Sequence, residues 1–213
     1  MSYLKAIFED IADRNAWDGD ESRSGPGSAL SYTLNLRSQL LVAFEMFDIR
    51  KIFDAPCGDF NWMRAVKFSN GIEYIGGDIV ESLVNKNKEK YSGPNISFIN
   101  FDIATSRFPV ADMWFCRDCL FHLPDEFIFQ ALRNFCNSDI KLLMMTNHLN
   151  TTGFKNTDIK AGDFRLVDFY LEPFGLPTDV LFRVADYVYP YPQREMCVWT
   201  REQVASALDK CDK

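Results

Sequence analysis

The chain has 213 residues, 47% hydrophobic and 15% aromatic, and its 23 Lys and Arg against 30 Asp and Glu give a formal charge of −7. That length and apolar content are enough to bury one core. The acidic balance, with no Lys/Arg cluster, argues against nucleic acid or an anionic membrane as a partner.

The opening "MSYLKAIFEDIADR" predicts an amphipathic helix over 3–13, broken by too many charges for a signal peptide or a membrane span, so the chain reads as cytoplasmic. A Gly/Ser/Pro-rich loop, "AWDGDESRSGPGS", follows, and then "ALSYTLNLRSQLLVAFEMF", a longer helix that Ser28 is placed to cap. From residue 51 short apolar runs of strand length recur: 51–55, 73–79, 96–102, 111–116 and 141–147. Candidate helices at 60–68, 81–91 and 124–136 lie between most of them. After a long aromatic and Gly/Pro-punctuated connection, two more strands are expected near 180–187 and 194–199 and a last helix at 201–209. Strand and helix alternating at this pitch predict an α/β fold, a Rossmann-like three-layer sandwich with a mostly parallel sheet and helices on both faces. The six cysteines (57, 116, 119, 136, 197, 211) lie in apolar stretches of a chain that needs no staples, and read as reduced core thiols.

Ligands of open parallel sheets bind beyond the carboxyl ends of the strands. Here the first four strands finish on or near an acid, Asp54, Asp78, Asp102 and Asp118, and Asp59 sits in the first loop. Each acid alone is as well explained as a helix cap or turn residue; the recurrence is what points to a site. Asp78 lies 20 residues past Gly58, the spacing at which an acid accepts hydrogen bonds from a ribose diol. That suits a nicotinamide dinucleotide or S-adenosylmethionine. The loop Ala-Pro-Cys-Gly-Asp-Phe has one glycine where a pyrophosphate wants several, and the charge of Asp59 would repel phosphates. A sulfonium with an α-ammonium tolerates both.

"FDAPCGDF" (53–60), "YIGGDIVESLV" (74–84), "INFDI" (99–103) and "DMWFCRDCLFHL" (112–123) together resemble the four motifs of the class I S-adenosylmethionine-dependent methyltransferase family, which implies a seven-stranded Rossmann-like sheet. With W-x3-E-S-R-S-G-P-G-S, the first and fourth motifs are similar to those of a small bacterial and viral group, several of whose members look associated with glycan decoration. Pro56 and Phe60 depart from the family by replacing two usual glycines. The resemblance implies a single methyltransferase domain over 1–213: N-terminal helices and a cofactor-covering loop in 1–48, the cofactor-binding core in 49–148, a substrate-specificity segment in 149–177 and C-terminal strands and helix in 178–213. It implies S-adenosyl-L-methionine as cofactor and S-adenosyl-L-homocysteine as product. Asp54, Pro56, Cys57, Gly58 and Asp59 would surround the methionyl end and Asp78 would take the ribose. Ile79, Asp102 and Ile103 would lie against the nucleoside. Arg23 would pair with the methionyl carboxylate, and the loop to Ser28 would cover it; a plain connection between two helices explains that loop equally well.

Methylation of a hydroxyl asks for a positioned base. His122, just past the fourth strand, is the favoured base, against the simpler reading that it caps the next helix; His148 is the runner-up, and Asp118 could orient a histidine or take the proton. Arg117 is expected to hold a cofactor, substrate or local carboxylate. Mg²⁺ on Asp118 with Asp158 or Asp163 is possible but not favoured, because no adjacent acid pair follows the fifth strand. In 149–177, Phe164, Asp158 and Arg165 are candidate contacts for a polyhydroxylated acceptor, although core packing explains most of the aromatics there as well. The expected reaction is O-methylation of a small polar acceptor, a sugar or glycan first, alongside or fused to glycosyltransferases. The alternatives are methylation of nitrogen or a protein side chain, a nicotinamide-dependent oxidoreductase, and a non-catalytic adenosyl-ligand-binding module.

Overall fold

The computed structural model describes residues 2–68 and 71–211. Seven strands, β1 (Lys51–Asp54), β2 (Glu73–Asp78), β3 (Ile96–Asn100), β4 (Met113–Cys116), β5 (Leu142–His148), β6 (Phe182–Ala185) and β7 (Arg194–Thr200), form one sheet in the order β3-β2-β1-β4-β5-β7-β6. Five α-helices accompany them: α1 (Tyr3–Asp13), α2 (Leu34–Met46), α3 (Glu81–Tyr91), α4 (Asp125–Cys136) and α5 (Arg201–Cys211). The chain divides into two compact units, 1–103 and 104–213.

In the first unit β1, β2 and β3 pair in parallel, with Ile52 opposite Tyr74 and Tyr74 opposite Ile96. β1 ends where Pro56 follows, a residue with no N–H to continue a ladder. Ser2 caps α1 by accepting the Lys5 amide at 3.2 Å. Lys5 then bridges α1 to Glu81 at the start of α3, at 2.7 Å. In the second unit β4 and β5 are parallel, while β7 runs antiparallel to both β5 and β6. All four residues of β4 are buried, as a strand covered on both faces requires. α4 buries Ile128, Ala131, Leu132 and Phe135, the i, i+3, i+4, i+7 stripe of a helix packed on a sheet. α5 opens with a reciprocal capping box: Thr200 Oγ1 accepts the Gln203 amide at 3.1 Å and Gln203 Oε1 accepts the Thr200 amide at 2.8 Å.

Two expected helices differ. Residues 60–68 form only a short 3₁₀ turn, Met63–Ala65. Phe60 takes a left-handed φ of 60°, which no helix accommodates, and its ring is buried between Tyr74 (centroids 4.9 Å), Phe98 (5.1 Å) and Tyr91 (5.3 Å). The helix expected from residue 29 begins at Leu34, after a 3₁₀ turn over Pro26–Ser28. Ser28 does not cap it, because Glu21 Oε1 accepts the Leu30 amide that such a cap would need, at 3.0 Å.

Among the described residues no helix is long and apolar enough to cross a membrane. The six cysteines are free thiols; Cys57, Cys116 and Cys197 are buried.

Candidate functional site

In the first unit the turn after β1 is organised around Gly58. Its φ is +56°, and a Cβ there would lie 2.1 Å from Ser24 Oγ. Its amide donates to Asp78 Oδ2 at 2.9 Å and its carbonyl accepts Asn87 Nδ2 from α3 at 2.8 Å. Asp78, at the end of β2, also accepts the Val80 amide at 2.9 Å through Oδ1. Burial pushes its carboxyl up to about 6, against the pull of these amides. Gly58→Ala should therefore cost stability through both the left-handed backbone and the clash, about 1–3 kcal/mol, measurable as a lower urea midpoint. Ser24→Ala added to it should recover only the share due to the clash.

Asp59 closes the loop at 21–24 onto this turn: its carboxylate accepts Ser22 Oγ (2.9 and 3.0 Å) and the amides of Arg23 (2.8 Å) and Asn61 (3.1 Å). Arg23 itself is exposed, whereas Ser28 is buried and its carbonyl accepts Asn61 Nδ2 at 3.0 Å. Asp102 accepts Ser2 Oγ at 3.4 Å, Ile103 is buried, and Ile79 packs by the Ala12, Val80 and Leu83 cluster. Two expected methionyl contacts lie in the interior beneath the turn. Asp54 is buried and accepts the Tyr74 hydroxyl at 2.6 Å; Cys57 is buried, and burial pushes its thiol well up, so it supplies no thiolate. Pro56 is half-buried beside them.

In the second unit the residues after β4 and β5 gather into two clusters. One is ionic. Arg117 donates to Asp186 through Nε (2.8 Å) and Nη2 (3.0 Å), and Arg194 donates Nη2 to Asp118 Oδ2 at 2.9 Å and Nε to the Asp186 carbonyl at 2.8 Å. Arg117 Nη1 lies 3.3 Å from Asp118, so two cations and two anions close a ring of matched charge in which Arg117, Arg194 and Asp186 are buried and Asp118 is half-buried. Burial alone would raise Asp118, but the Arg117 and Arg194 guanidiniums hold its carboxyl below the usual range. It is thus fixed as an anion, not as a proton acceptor. Arg117, expected at the cofactor, is engaged with Asp186.

The other cluster is aromatic: the rings of Phe121, His122, His148 and Phe164 pack together, with centroids 4.6 Å apart for Phe121–His122 and 4.9 Å for Phe121–His148. Phe164 is 55% exposed, so the cluster opens to solvent there. His122 Nδ1 lies 2.9 Å from the Asp163 carbonyl, which can only accept, so the neutral ring carries its proton on Nδ1 and its lone pair on Nε2. Burial lowers its pKa below the ordinary imidazole value, opposed by the Asp163 carbonyl and the Asp118 charge. The imidazole is neutral at pH 7. His148 is the reverse: its Nδ1 accepts the Val167 amide at 3.2 Å, leaving the proton on Nε2, and burial lowers it to about 4. That tautomer donates; it is not a base.

The expected acceptor contacts Asp158 and Arg165 instead hold the 157–165 loop. Asp158 Oδ1 accepts the Asp125 amide at the start of α4 at 2.8 Å, a cap supplied from a distant loop. Arg165 is buried, donating to the Thr157 carbonyl and, at 2.9 Å, to the Leu123 carbonyl, and pairing with Asp125 at 2.7 Å. Phe169 and Phe174 are core residues in contact with each other. Among the described residues no three His, Cys, Asp or Glu side chains are grouped so as to hold a metal ion; Asp118, Asp158 and Asp163 form no such set.

Neither the family profiles nor the curated protein sequences compared with the chain match it. Solved structures do. Magnesium protoporphyrin IX methyltransferase from Synechocystis PCC 6803, with bound SAH, is 16% identical at a TM-score of 0.61, over 93% of this chain and 99% of that one. The methyltransferase domain of bacterial CtHen1-C is 11% identical at 0.61, over 79% and 98%. Human N-acetylserotonin methyltransferase in complex with SAM is 12% identical at 0.57, over 90% and 58%.

The chain has the class I methyltransferase fold.

Asn87, Asp186 and Arg194 escaped the sequence reading, yet each left a trace. Asn87 follows Leu83 by four residues on the inner face of α3, and Asp186 and Arg194 are charges flanking a hairpin that leads into the buried strand β7, where a charge needs a partner.

Proposed function

We propose that the protein is an S-adenosylmethionine-dependent methyltransferase acting on a hydroxyl oxygen of a small polar acceptor, with a sugar or glycan as the favoured class. The observation that carries this reading is the acidic, amide-lined turn at Gly58, with Asp78 at the end of β2, in a chain with the methyltransferase fold. The donor set fits the cofactor. The amides of Gly58, Val80 and Ile79 are directed at the Asp78 carboxylate, and of its roughly four lone-pair sites one is left for a ribose hydroxyl. The charge of Asp102, and a turn with one glycine where a pyrophosphate wants several, favour a sulfonium and an ammonium over a pyrophosphate. When bound, the cofactor supplies an electrophilic methyl on sulfur.

The residues of the chain do the rest. Asp78 and the Gly58 turn bind and orient, Arg23 pairs with the methionyl carboxylate, and His122 takes the acceptor's proton at Nε2 while the Asp163 carbonyl holds the ring. The fixed charge of Asp118 favours the imidazolium so formed. Phe164, exposed and backed by the buried Phe121 ring at 5.5 Å, offers a ring face to the apolar side of a sugar.

Calorimetric titration with S-adenosylhomocysteine and with NAD⁺, followed by mass analysis of sugars, amines and peptides incubated with labelled cofactor, tests the reading. Preference for NAD⁺ sinks it, and methyl transfer to amines alone moves it to nitrogen chemistry. One pH effect follows from Asp78. Its folded value, about 6, is above the ordinary carboxylate value, so the stability due to the neutral form is present at low pH and lost as pH rises through about 6. The ionised form is the better acceptor for ribose hydroxyls. S-adenosylhomocysteine should therefore bind up to about tenfold more weakly at pH 5 than at pH 7.5, and Asp78→Asn should flatten the dependence.

A further inference from the structure

The first unit holds a cavity of about 720 Å³, and of its lining residues the reading above gives a role to Arg23 and Asp59 but none to the α3 side chains Lys86 and Lys90. Its walls are the 21–23 loop, the 59–64 segment and one face of α3, and neither Asp78 nor Asp102 lines it. Four cations, Arg23, Arg64, Lys86 and Lys90, meet here against three carboxylates, in a chain whose overall charge is −7.

The two kinds of charge are not equally engaged. Asp59 already accepts from three donors, the Ser22 hydroxyl and the Arg23 and Asn61 amides, and Glu21 Oε1 accepts the Leu30 amide at 3.0 Å and Asn61 Nδ2 at 2.7 Å. By contrast the Arg23 guanidinium and the Lys86 ammonium make no hydrogen bond or ion pair among the described residues, and Lys90 only overlies the Tyr91 ring, 5.1 Å from its centroid. Lys86 and Lys90 are one helical turn apart and share a face. The floor is rigid: Asn87 is 2% exposed and tied to Gly58, while Arg64 is braced by the Asn61 carbonyl at 2.9 Å and Asn61 Oδ1 at 3.2 Å. Leu83 and Tyr91 add an apolar wall.

We propose that this cavity is a second ligand site, taking a small molecule with a phosphoryl group: the anion sits at Lys86 and Lys90, and the rest of the molecule lies along Leu83 and Tyr91. The volume is that of a site for a compound of nucleotide or sugar-phosphate size.

The test is calorimetry with inorganic phosphate, adenosine monophosphate and glucose 6-phosphate, each with and without saturating S-adenosylhomocysteine, on the parent and on the exposed pair Lys86→Ala/Lys90→Ala. At least one phosphate compound should bind in the presence of S-adenosylhomocysteine, more weakly at high salt, and about tenfold more weakly in the double variant. The affinity for S-adenosylhomocysteine should stay unchanged. The nucleotide and sugar arms tell which phosphate ester is preferred; equal binding of all three means that the phosphoryl group alone is recognised. No binding at millimolar ligand, or binding indifferent to the double variant, overturns the site. So does competition with S-adenosylhomocysteine in which the variant weakens both, since the cavity would then be the cofactor's methionyl end. If S-adenosylhomocysteine does not bind at all, the methyltransferase reading fails and the cavity is judged by the phosphate titrations alone.

Discussion

His122→Ala should bind S-adenosylhomocysteine as the parent does and turn over about 10²- to 10⁴-fold more slowly, the usual cost of losing a positioned base. The basis is geometric. The Asp163 carbonyl 2.9 Å from Nδ1 fixes one tautomer, and burial lowers the pKa, so the ring presents a lone pair on Nε2 throughout the neutral range. The acid limb of the parent's rate profile should thus lie below pH 6.5, with a plateau above it, and the variant should lose that limb. His148→Ala should leave the limb in place, because the His148 lone pair already accepts the Val167 amide. Full turnover by His122→Ala at neutral pH would show that the proton leaves by another route.

Asp186→Ala should destabilise the second unit by about 3–5 kcal/mol, read as a fall in the urea midpoint. Asp186 is 2% exposed and accepts both arms of Arg117 while its carbonyl holds Arg194. Removing its carboxylate leaves two buried guanidiniums to share Asp118. The same physics predicts a rescue: Arg117→Met/Asp186→Leu exchanges the pair for apolar groups of similar volume and should recover most of the loss. If the double variant is as unstable as the single, charge balance is not what the ring contributes.

The helices at 3–13 and 81–91 could be read to the residue, the first from its local amphipathic spacing and the second from a polar, lysine-rich run that follows a strand. The strands were legible as apolar runs with acids at their ends. Residues 60–68 were not, since helical spacing says nothing of a ring that must turn inward to Tyr74 and Phe98 and forces a positive φ to do so. The acids marked a region but not their partners. Asp54 serves the interior through Tyr74, and Asp118 answers to Arg194, 76 residues away in sequence. Pairings at that separation depend on topology, which periodicity does not carry.

The Phe60 wedge has a bearing on how this protein can diverge. Where glycine sets a binding turn, the turn and the core can drift independently, because glycine asks nothing of its neighbours beyond space. Here the turn after β1 has Gly58 at its centre but is also held by the Phe60 side chain, seated among Tyr74, Tyr91 and Phe98. Changes at those four aromatic positions are expected to be epistatic. A smaller ring at 98 would be felt in the turn as well as in the core, and lineages of this protein should exchange these aromatics together or not at all.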